Sequence, residues 1–411
     1  MRAVLALVAA WAALTGAGLA AAGPAQGATP ALRFTTDSTI APGVSYREFT
    51  LPSSHGTAYG HLVTVDLREP GVALDLVYPD AVGARDTVTR LADARGALAA
   101  VNGDFFNISE TQHPGVQATG APVGPAVAGG RQLKAAVPAG QRFGPALPPG
   151  TGTEDVIGVG VDRTARLDRL TLRGRVRTPL GTLPLSGLNQ YAVAVDGIGA
   201  FTPDWGSASR IRATCGTDTQ RSAPCSTETY EVTVRHGRVA AVAGTPGDGP
   251  IARGSVVLVG REAGARRLRE LRVGDPVRVE QRLVSTGATG RAPLAFAVGG
   301  FPIVRADRPL DGLDTATAAV RTSAGIGDGG HRFYLLVLDG GPDYRTGLTV
   351  DELAEVMVDL GADDAVNLDG GGSSTLAVRE PGEIGTTARN HPSGGSERPV
   401  PNGIGVFTRG R

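Results

Sequence analysis

The sequence predicts an α+β fold made mostly of mixed β-sheets, with a βαβ unit near the C-terminus whose loops carry the candidate site. Residues 333–338 form a continuous apolar run, which is typical of a strand buried on both faces. Thr349 and Glu352 have the spacing of a capping box, and apolar residues recur at helical spacing after them. A second apolar run, residues 365–368, predicts the next strand.

The order strand, helix, strand predicts that the two strands run parallel. Asp339 and Asp369 directly follow the two apolar runs, so both are expected at one edge of a sheet, where sites in α/β proteins usually open. Neighbouring strands would place their backbones about 5 Å apart, and one intervening strand about 10 Å apart. Because this span includes the carboxylate separations of glycosidases, the sequence allows a catalytic pair of acids here.

The rest of the chain reads as β-rich, with one further helix. Residues 59–67 and 72–77 alternate as strands do and flank a turn at Pro70, which predicts a hairpin. Residues 88–95 predict a short helix, and residues 114–152 predict long loops rich in glycine and proline. Further predicted strands occupy residues 156–161, 191–195, 231–234, 256–259 and 276–284.

Composition indicates a folded protein without a surface for polyanions. The 411 residues include 41% hydrophobic residues, enough for a well-buried core, and 40 basic residues balance 40 acidic ones. Nucleic acid is therefore not an expected partner. We expect one folded region over residues 59–411, with a β-rich middle segment at about residues 190–290.

The N-terminal residues predict a secretory signal peptide over residues 1–27. One charge at Arg2 precedes an apolar run over residues 3–22 and then small residues around Ala28. A retained membrane anchor is the alternative, since the run approaches the length needed to span a bilayer. With the signal removed, the sequence predicts a secreted protein without a membrane segment, preceded by an N-terminal extension over residues 28–58.

Two cysteines, Cys215 and Cys225, enclose a polar segment of nine residues. In an oxidising compartment an even number of cysteines at this separation favours a disulfide that closes a loop. A catalytic thiol is the alternative, but neither cysteine has a histidine in its own segment. The sequence therefore predicts a Cys215–Cys225 disulfide.

The segment AVNLDGGGSST, residues 365–375, concentrates polar chemistry after an apolar strand. It offers an amide, a carboxylate, three glycine N–H groups and three hydroxyls, all of which can bind a sugar or a phosphate. An ordinary glycine-rich turn is the alternative interpretation. The residues concerned are Asn367, Asp369, Gly370, Gly371, Gly372, Ser373, Ser374 and Thr375.

Several motifs in order resemble the phosphodiester glycosidase family. The resemblance runs from about residue 60 to the C-terminus and is densest after residue 295. The motifs are Asn102-Gly103-Asp104-Phe105-Phe106, Val298-Gly299-Gly300-Phe301-Pro302, Arg321-Thr322, Leu338-Asp339-Gly340, Glu352-Leu353-Ala354, Asn367-Leu368-Asp369-Gly370-Gly371-Gly372-Ser373-Ser374, Asn390-His391-Pro392-Ser393, Glu397-Arg398 and Val400-Pro401-Asn402.

The resemblance implies hydrolysis of a sugar joined through C1 to a phosphodiester, which releases free sugar and a phosphomonoester. An N-acetylglucosamine-1-phosphodiester on a cell-wall or exopolysaccharide glycan is the expected type of substrate. The sequence departs from the family pattern at Asp104, where many relatives have glycine, and at Gly341, where an arginine often follows. Arg345 is a candidate to supply that guanidinium from a displaced position.

The chemistry of such a substrate assigns roles to these residues. A phosphomonoester leaves readily, so the enzyme needs groups that bind anionic phosphate and groups that stabilise a cationic sugar. We expect Asp369, with Asp339 second, to act as base or nucleophile, and Arg321 to be the catalytic phosphate ligand. The predicted substrate-binding residues are Asn102, Gly103, Asp104, Thr322, Asn367, Gly370, Gly371, Gly372, Ser373, Ser374, Arg398 and Asn402.

Several of these residues also have a structural interpretation. Arg321 could serve a structural salt bridge, Arg398 and Asn402 could be surface or turn residues, and Asp104 could cap a turn. Phe105 and Phe106 are better explained as core residues than as platforms for a sugar.

No cofactor is expected. The six histidines form no zinc-binding pattern, and the Asn367 loop matches only part of a calcium loop, because Ala365 stands where the first acidic ligand belongs. The chain also lacks the GxSxG elbow of an α/β-hydrolase and the phosphate loop of a nucleotide-binding protein. The alternative function is an exported module that binds phosphoglycans or other carbohydrates without cleaving them.

Overall fold

Four β-sheets and three short helices build the described part of the chain, residues 32–287, 291–344 and 346–408 of this computed structural model. The helices are α1 (Val88–Arg95), α2 (Ala263–Arg269) and α3 (Val350–Asp359). The signal peptide and Arg345 lie outside the described residues, so both remain predictions. None of the described helices combines the length and the apolar character that a membrane span requires.

Twenty-five strands supply the sheets. In chain order they are β1 (Arg33–Ala41), β2 (Val44–Ser53), β3 (Gly56–Asp66), β4 (Val72–Val77), β5 (Ala99–Asn102), β6 (Ala126–Ala128), β7 (Arg131–Lys134), β8 (Asp155–Gly160), β9 (Ala165–Thr178), β10 (Gly181–Pro184), β11 (Gly187–Leu188), β12 (Ile198–Phe201), β13 (Thr229–Arg235), β14 (Arg238–Ala243), β15 (Ser255–Arg261), β16 (Arg278–Ser285), β17 (Leu294–Gly299), β18 (Phe301–Arg305), β19 (Arg308–Pro309), β20 (Thr322–Gly327), β21 (Arg332–Leu338), β22 (Asp364–Asn367), β23 (Leu376–Val378), β24 (Thr387–Ala388) and β25 (Gly403–Thr408).

Sheet 1 is the largest, with eight strands in the order β1-β2-β3-β21-β20-β22-β18-β19. Sheet 2 has the order β10-β9-β8-β17-β6-β7 with β16 beside β9, sheet 3 has the order β11-β12-β15-β13-β14, and sheet 4 has the order β24-β23-β5-β25-β4. The β-rich α+β class is thus confirmed. Strands β1 and β2, expected as an N-terminal extension, belong to sheet 1.

Sheet 1 carries core on both of its faces. Along β21, Phe333, Leu335 and Val337 pack into the larger cluster shared with sheets 2 and 4. Tyr334, Leu336 and Leu338 pack into a second cluster with α3. Residues 333–338 are therefore continuously apolar because both faces of β21 are buried, as the sequence predicts.

The region between β21 and β22 differs in detail from a simple βαβ pair. Both strands are antiparallel to β20, which lies between them, so β21 and β22 run in the same direction without being neighbours. Helix α3 connects them. Asp339 follows the end of β21 and Asp369 lies two residues past the end of β22, so both lie at one edge of sheet 1.

Two local predictions are wrong. Strands β3 and β4 do not form a hairpin, because β3 pairs with β2 and β21 while β4 pairs with β25 in sheet 4. The connection between them is bound by the Arg163 guanidinium, which donates to the carbonyls of Leu67 and Glu69.

Residues 191–195 form no strand although the segment is apolar throughout. Tyr191, Ala192 and Val193 are buried, but the Val193 and Val195 N–H groups donate to the Ala213 carbonyl and to Asp218. Burial within a loop therefore produced the strand-like pattern. The Cys215–Cys225 disulfide is present and joins two segments of the neighbouring loop.

Helix α3 begins with a complete capping box. The Thr349 hydroxyl accepts from the Glu352 N–H at 3.1 Å, and the Glu352 carboxylate accepts from the Thr349 N–H at 2.9 Å. The second Glu352 oxygen accepts from the Ser54 N–H at 2.7 Å, which ties the helix to the turn between β2 and β3. This start fixes the helix between the two site-bearing strands.

We predict that Thr349→Ala lowers the free energy of unfolding by about 1 kcal/mol, because the first turn of α3 loses its cap. Denaturant titration followed by far-UV circular dichroism measures the change. Thr315→Ala is the control, since Thr315 is exposed and follows Asp314, whose carbonyl accepts from the first turn of α3. Equal stability of the two variants would contradict the capping role.

Candidate active site

The side chain of Asn102 joins three segments at the edge of sheet 1. Its amide nitrogen donates to the Asp369 carbonyl at 2.6 Å, and its amide oxygen accepts from the Thr322 hydroxyl at 2.8 Å and from the Thr375 N–H at 3.1 Å. Asn102 is fully buried. The residue predicted to hold a sugar thus lies beneath the Asp369 loop and anchors it.

Gly103 and Asn402 extend this anchor. The Asp369 N–H donates to the Gly103 carbonyl, and the Gly103 N–H donates to the Asn402 carbonyl, both at 2.9 Å. The Asn402 side chain accepts from the Asp104 N–H at 3.1 Å. A side chain at Gly103 would clash with the Asn402 amide oxygen, so glycine is required by close approach.

Asp369 is more accessible to solvent than Asp339 and Asp104, which are buried. It is partly exposed, and its Oδ1 accepts from the Gly370 N–H at 3.0 Å. Burial of its surroundings raises the pKa of Asp369 to about 6, although the Ser373 hydroxyl, the Gly370 N–H and the charge of Arg398 act in the opposite direction. A carboxyl group with this pKa can exchange a proton near neutral pH.

Some backbone groups of the glycines after Asp369 form hydrogen bonds within the protein. The Gly371 N–H donates to the Val320 carbonyl at 2.8 Å, and its carbonyl accepts from the Ser393 hydroxyl at 3.2 Å. Gly371 has a φ of +61°, in the left-handed region that favours glycine. The loop is therefore held in one shape from both sides.

Arg398 approaches this loop from the C-terminal segment. Its Nη1 donates to the Ser373 hydroxyl at 3.2 Å, and a side chain at Gly372 would occupy the place of its guanidinium. Ser373 is buried, whereas Arg398 is partly exposed. The neighbouring Ser374 hydroxyl lies 3.1 Å from the Thr322 hydroxyl and so belongs to the buried anchor. The loop that carries the Asp369 carboxyl group is thus contacted by the Arg398 guanidinium.

Asp339 lies in a different environment. Its Oδ2 is 3.2 Å from Nε2 of His61, and its Oδ1 accepts from the His391 N–H at 2.6 Å and contacts the His391 ring at 2.9 Å. Burial alone would raise the pKa of Asp339, but the hydrogen bonds from His61 and His391 outweigh it and lower the pKa. Asp339 is therefore held ionised.

A polar chain leads from Asp339 to the protein surface. Nδ1 of His61 lies 2.9 Å from the Tyr46 hydroxyl, which donates to Glu48 at 2.9 Å. Burial, and then the bond to Glu48, raise the pKa of Tyr46, so the phenol keeps its proton. The Tyr46 hydroxyl thus lies between Glu48 and His61, and Nε2 of His61 extends the chain to Asp339.

The two site loops meet at residues 391–393. The Gly340 N–H donates to the His391 carbonyl at 2.8 Å, and Ser393 bonds to Gly371 on the other loop. His391 is exposed and stacks on Tyr344, with ring centroids 4.6 Å apart. Asp339 and Asp369 are thus connected through this segment, but no hydrogen bond joins their carboxylates in the described residues.

Arg321 and Asn367 lie apart from this cluster. The Arg321 guanidinium donates to the carbonyls of Leu348 at 3.0 Å and Thr317 at 2.7 Å. Strand alternation places both residues on the α3 face of sheet 1, opposite Thr322. The Asn367 amide is buried and has no hydrogen-bond partner among the described residues. Their predicted roles at the substrate remain untested.

Two buried groups of opposite charge, Asp104 and Lys134, lie beneath the site and both bond to Gly124. Asp104 accepts from the Gly124 N–H at 2.5 Å, and Lys134 donates to the Gly124 carbonyl, to Val123 at 3.2 Å and to Ala135 at 2.6 Å. Burial raises the pKa of Asp104 and lowers that of Lys134, while each charge favours the other. Three carbonyl acceptors match the three N–H groups of an ammonium, so we assign Lys134 as charged.

The pKa of Asp104 also depends on the charge of Asp369. The charge of Asp369 raises the pKa of Asp104, after the larger effects of burial, Lys134 and Gly124. Oδ1 of Asp104 is buried without a hydrogen-bond partner among the described residues. Asp104 therefore bonds to a backbone N–H through Oδ2, as the turn-capping interpretation requires, whereas that interpretation does not explain the buried Oδ1.

Sequence reasoning did not find His61, Tyr46, Glu48 or Lys134. The first three lie on β2 and β3, where nothing in the local sequence distinguishes a site residue from an ordinary strand residue. Lys134 carried a signal, since it is the only lysine in the chain. A lone lysine among many arginines indicates a position where a compact charge is needed.

Metal binding has one geometric candidate among the described residues. His113, Cys215 and Cys225 lie close enough together to ligate one ion, but the two cysteines form the disulfide. Metal independence of the site, and the open possibility of calcium near Asp369, remain predictions.

Comparison with known proteins supports the family resemblance over the C-terminal part of the chain. Residues 228–407 match the family model described as phosphodiester glycosidase. This match includes the Arg321, Asp339, Asp369 and Arg398 motifs and confirms the resemblance. No curated protein sequence matches the chain.

Solved structures show the same fold at low identity. A hypothetical protein from Synechocystis has a TM-score of 0.68 and 21% identity, with 92% of this chain and 64% of that chain covered. A candidate exported protein from Burkholderia pseudomallei K96243 has a TM-score of 0.69 and 20% identity, with 93% and 97% covered. These identities establish a shared fold only, and this chain spans less than two thirds of the Synechocystis protein.

The catalytic domain of zebrafish N-acetylglucosamine-1-phosphodiester alpha-N-acetylglucosaminidase, auto-inhibited by its pro-peptide, is a more distant match. Its TM-score is 0.44 and its identity 14%, with 93% of this chain and 89% of that chain covered. That score is too low to support a structural argument.

The raised pKa of Asp369 predicts a pH-dependent gain in stability for Asp369→Asn. In the folded protein the carboxyl group has a pKa of about 6, against an ordinary value of 3.8. Its contribution to stability is thus complete below about pH 4 and is lost as the pH rises through 6. We expect Asp369→Asn to raise the free energy of unfolding at pH 8 by on the order of 2 kcal/mol relative to its effect at pH 4.

Denaturant titrations at pH 4 and pH 8 measure this difference. Asp343→Asn serves as the control, since Asp343 is an exposed carboxylate near the same edge. A stability change for Asp369→Asn that does not depend on pH would show that the carboxyl group titrates normally.

Proposed function

We propose that this chain, whose residues 228–407 match the phosphodiester glycosidase family, is a secreted hydrolase of sugar-1-phosphodiesters. It releases free sugar and a phosphomonoester, and its substrate is an N-acetylglucosamine-1-phosphodiester-like group on a cell-wall or exopolysaccharide glycan. The observation that supports this most is the Asp369 loop, which carries a titratable carboxyl group and is contacted by the Arg398 guanidinium at Ser373.

The loop supplies the two kinds of groups that the reaction needs. The C1–O bond breaks, the electron pair leaves with the phosphate, and the oxygen of a water molecule is added to C1. Arg398, with the Ser373 hydroxyl, would stabilise the phosphate as it gains charge. Ionised Asp369 would attack C1 itself or deprotonate the attacking water, and both routes require the carboxylate form.

Asp339 has the properties of an electrostatic group. Because His61 and His391 hold it ionised, it is a poor proton donor near neutral pH. In this proposal it stabilises positive charge on the sugar, or orients His391 at the site opening. Two carboxyl groups with pKa values moved in opposite directions suit separate roles in one reaction.

The buried residues act through the loops. Asn102, Asn402 and Thr322 use their polar atoms to hold the Asp369 loop, so we propose a positioning role for them. Arg321 would act in the same way from the α3 side, where it secures the backbone before β20.

Secretion is part of the proposal and has two supports. The Cys215–Cys225 disulfide is typical of proteins that fold in an oxidising compartment. The structurally similar Burkholderia protein is described as a candidate exported protein. Detection of the processed chain in culture medium would test this part directly.

Replacement of Asp369 by Asn should abolish turnover, with at least a thousandfold loss of kcat, because the carboxylate required at C1 is absent. The assay incubates purified protein with methyl phosphodiesters of N-acetylglucosamine and other sugars in ¹⁸O-water and measures free sugar. Label in the sugar, and none in the phosphate, identifies C–O scission.

Asp343→Asn is the control and should keep full activity. Wild-type protein that binds these diesters without releasing sugar would overturn the enzyme proposal in favour of a carbohydrate-binding module. Full activity of Asp369→Asn would overturn the assignment of Asp369 alone.

Removal of the Arg398 charge should move the acidic limb of the pH profile. In the wild type we expect kcat/KM to fall about tenfold per pH unit below about pH 6, as Asp369 becomes protonated. Since Arg398 favours the carboxylate, Arg398→Gln should shift this limb to higher pH and also lower kcat. Arg308→Gln, at an exposed position on β19, is the control. A loss of rate with an unchanged limb would mean that Arg398 acts on the phosphate alone.

A further inference from the structure

A polar cavity of about 790 Å³ opens beside the candidate site. This volume lies within the range of small-molecule sites, about 300–1,000 Å³. Arg398 contributes to its wall and also binds Ser373 of the Asp369 loop, so the cavity and the loop share one residue. The other polar residues that line it are Arg85, Gln117, Thr119, Ser207, Ser209 and Asp248.

The two arginine-bearing segments of the cavity wall are joined. The Asp86 N–H donates to the Val400 carbonyl at 3.1 Å, and the Val400 N–H donates to the Asp86 carbonyl at 2.8 Å. This antiparallel bridge places Arg85 and Arg398 on two adjacent segments of the backbone. The backbone positions of the two residues are therefore fixed relative to each other.

Arg85 is oriented by packing and not by an acid. Its guanidinium carbon lies 5.7 Å from the centre of the Phe106 ring, and its side chain covers Gly120. Neighbouring arginines on the same stretch are paired: Arg90 with Asp86, and Arg95 with Asp80. Arg85 forms no ion pair within the part of the chain that the structure describes.

Arg398 likewise has no carboxylate in ion-pair contact among the described residues; its recorded hydrogen bond goes to Ser373. Two guanidinium groups line one cavity together with a single carboxylate, that of Asp248. The N–H donors of both guanidinium groups are therefore not taken up by a carboxylate of the described residues. A bound anion would use these donors.

We infer that this cavity binds a second anionic group, carried by the alcohol portion of the substrate on the far side of the scissile phosphate. The inference rests on the proposed function, which places the scissile phosphate at Arg398. The preferred substrate class is then a sugar-1-phosphodiester whose aglycone bears a phosphate or a carboxylate. Arg85 recognises this second group, and the hydroxyls and amide of the cavity wall contact the connecting alcohol.

The test compares three aglycones on the same sugar-1-phosphodiester: glycerol, glycerol phosphate and glycerate. We expect kcat/KM of the wild type to be about tenfold higher for an anionic aglycone than for glycerol, mainly through KM, and the advantage to shrink as salt rises. The two anionic arms show whether phosphate or carboxylate is preferred.

Arg85→Gln should remove this advantage and leave hydrolysis of the glycerol diester unchanged. Arg85→Lys should keep part of it, because the charge remains while the bidentate geometry is lost. Arg90→Gln is the matched control, since Arg90 is an exposed arginine of the same segment outside the cavity. Equal kcat/KM for all three aglycones, or an equal loss in Arg90→Gln, would overturn the inference.

A binding measurement separates this inference from the proposed function. Calorimetric titration with glycerol 1,3-bisphosphate and with glycerol 1-phosphate needs no turnover. Tighter binding of the bisphosphate by about tenfold, lost in Arg85→Gln, supports the cavity even if no diester is hydrolysed. Equal affinity for both compounds would overturn the inference even if hydrolysis is observed.

Discussion

The site depends on the side chain of Asn102, which lies on one of the three segments of this edge and bonds to the other two. Strand β5 of sheet 4 carries Asn102, β20 of sheet 1 carries Thr322, and the loop from Asp369 to Thr375 receives bonds at both of its ends. A single buried amide of sheet 4 therefore bonds to Thr322 of sheet 1 and to the Asp369 loop. The accessible carboxyl group of Asp369 keeps its position because the backbone beneath it cannot shift without breaking these bonds.

Charge is distributed unevenly around this anchor. His61 and His391 surround Asp339 with donors, whereas burial works against ionisation of Asp369 and of Asp104. The Lys134 ammonium compensates Asp104 from below the Gly124 peptide. The fold thus produces carboxyl groups of unlike acidity within one region, which is a requirement of acid–base chemistry and not of packing.

The sequence predicted those features that arise from local patterns. Strand β21, helix α3 with its Thr349 cap, and the Asp369 loop all follow from residues that are adjacent in the chain. Sheet pairing could not be predicted in this way, because the partners of β3 and β4 lie far away in sequence. The same holds for the site: motif residues were found, but their division into buried anchors and accessible groups depends on which face of a strand meets which sheet.

The burial of Lys134 has a consequence for chemical labelling. It is the chain's only lysine and has no exposed surface, so the native fold offers no lysine amine to acylating reagents or cross-linkers, the chain terminus aside. Modification at this side chain requires the hydrogen bonds around Gly124 to open. The rate at which Lys134 is acylated therefore reports how often the structure beneath Asp369 opens.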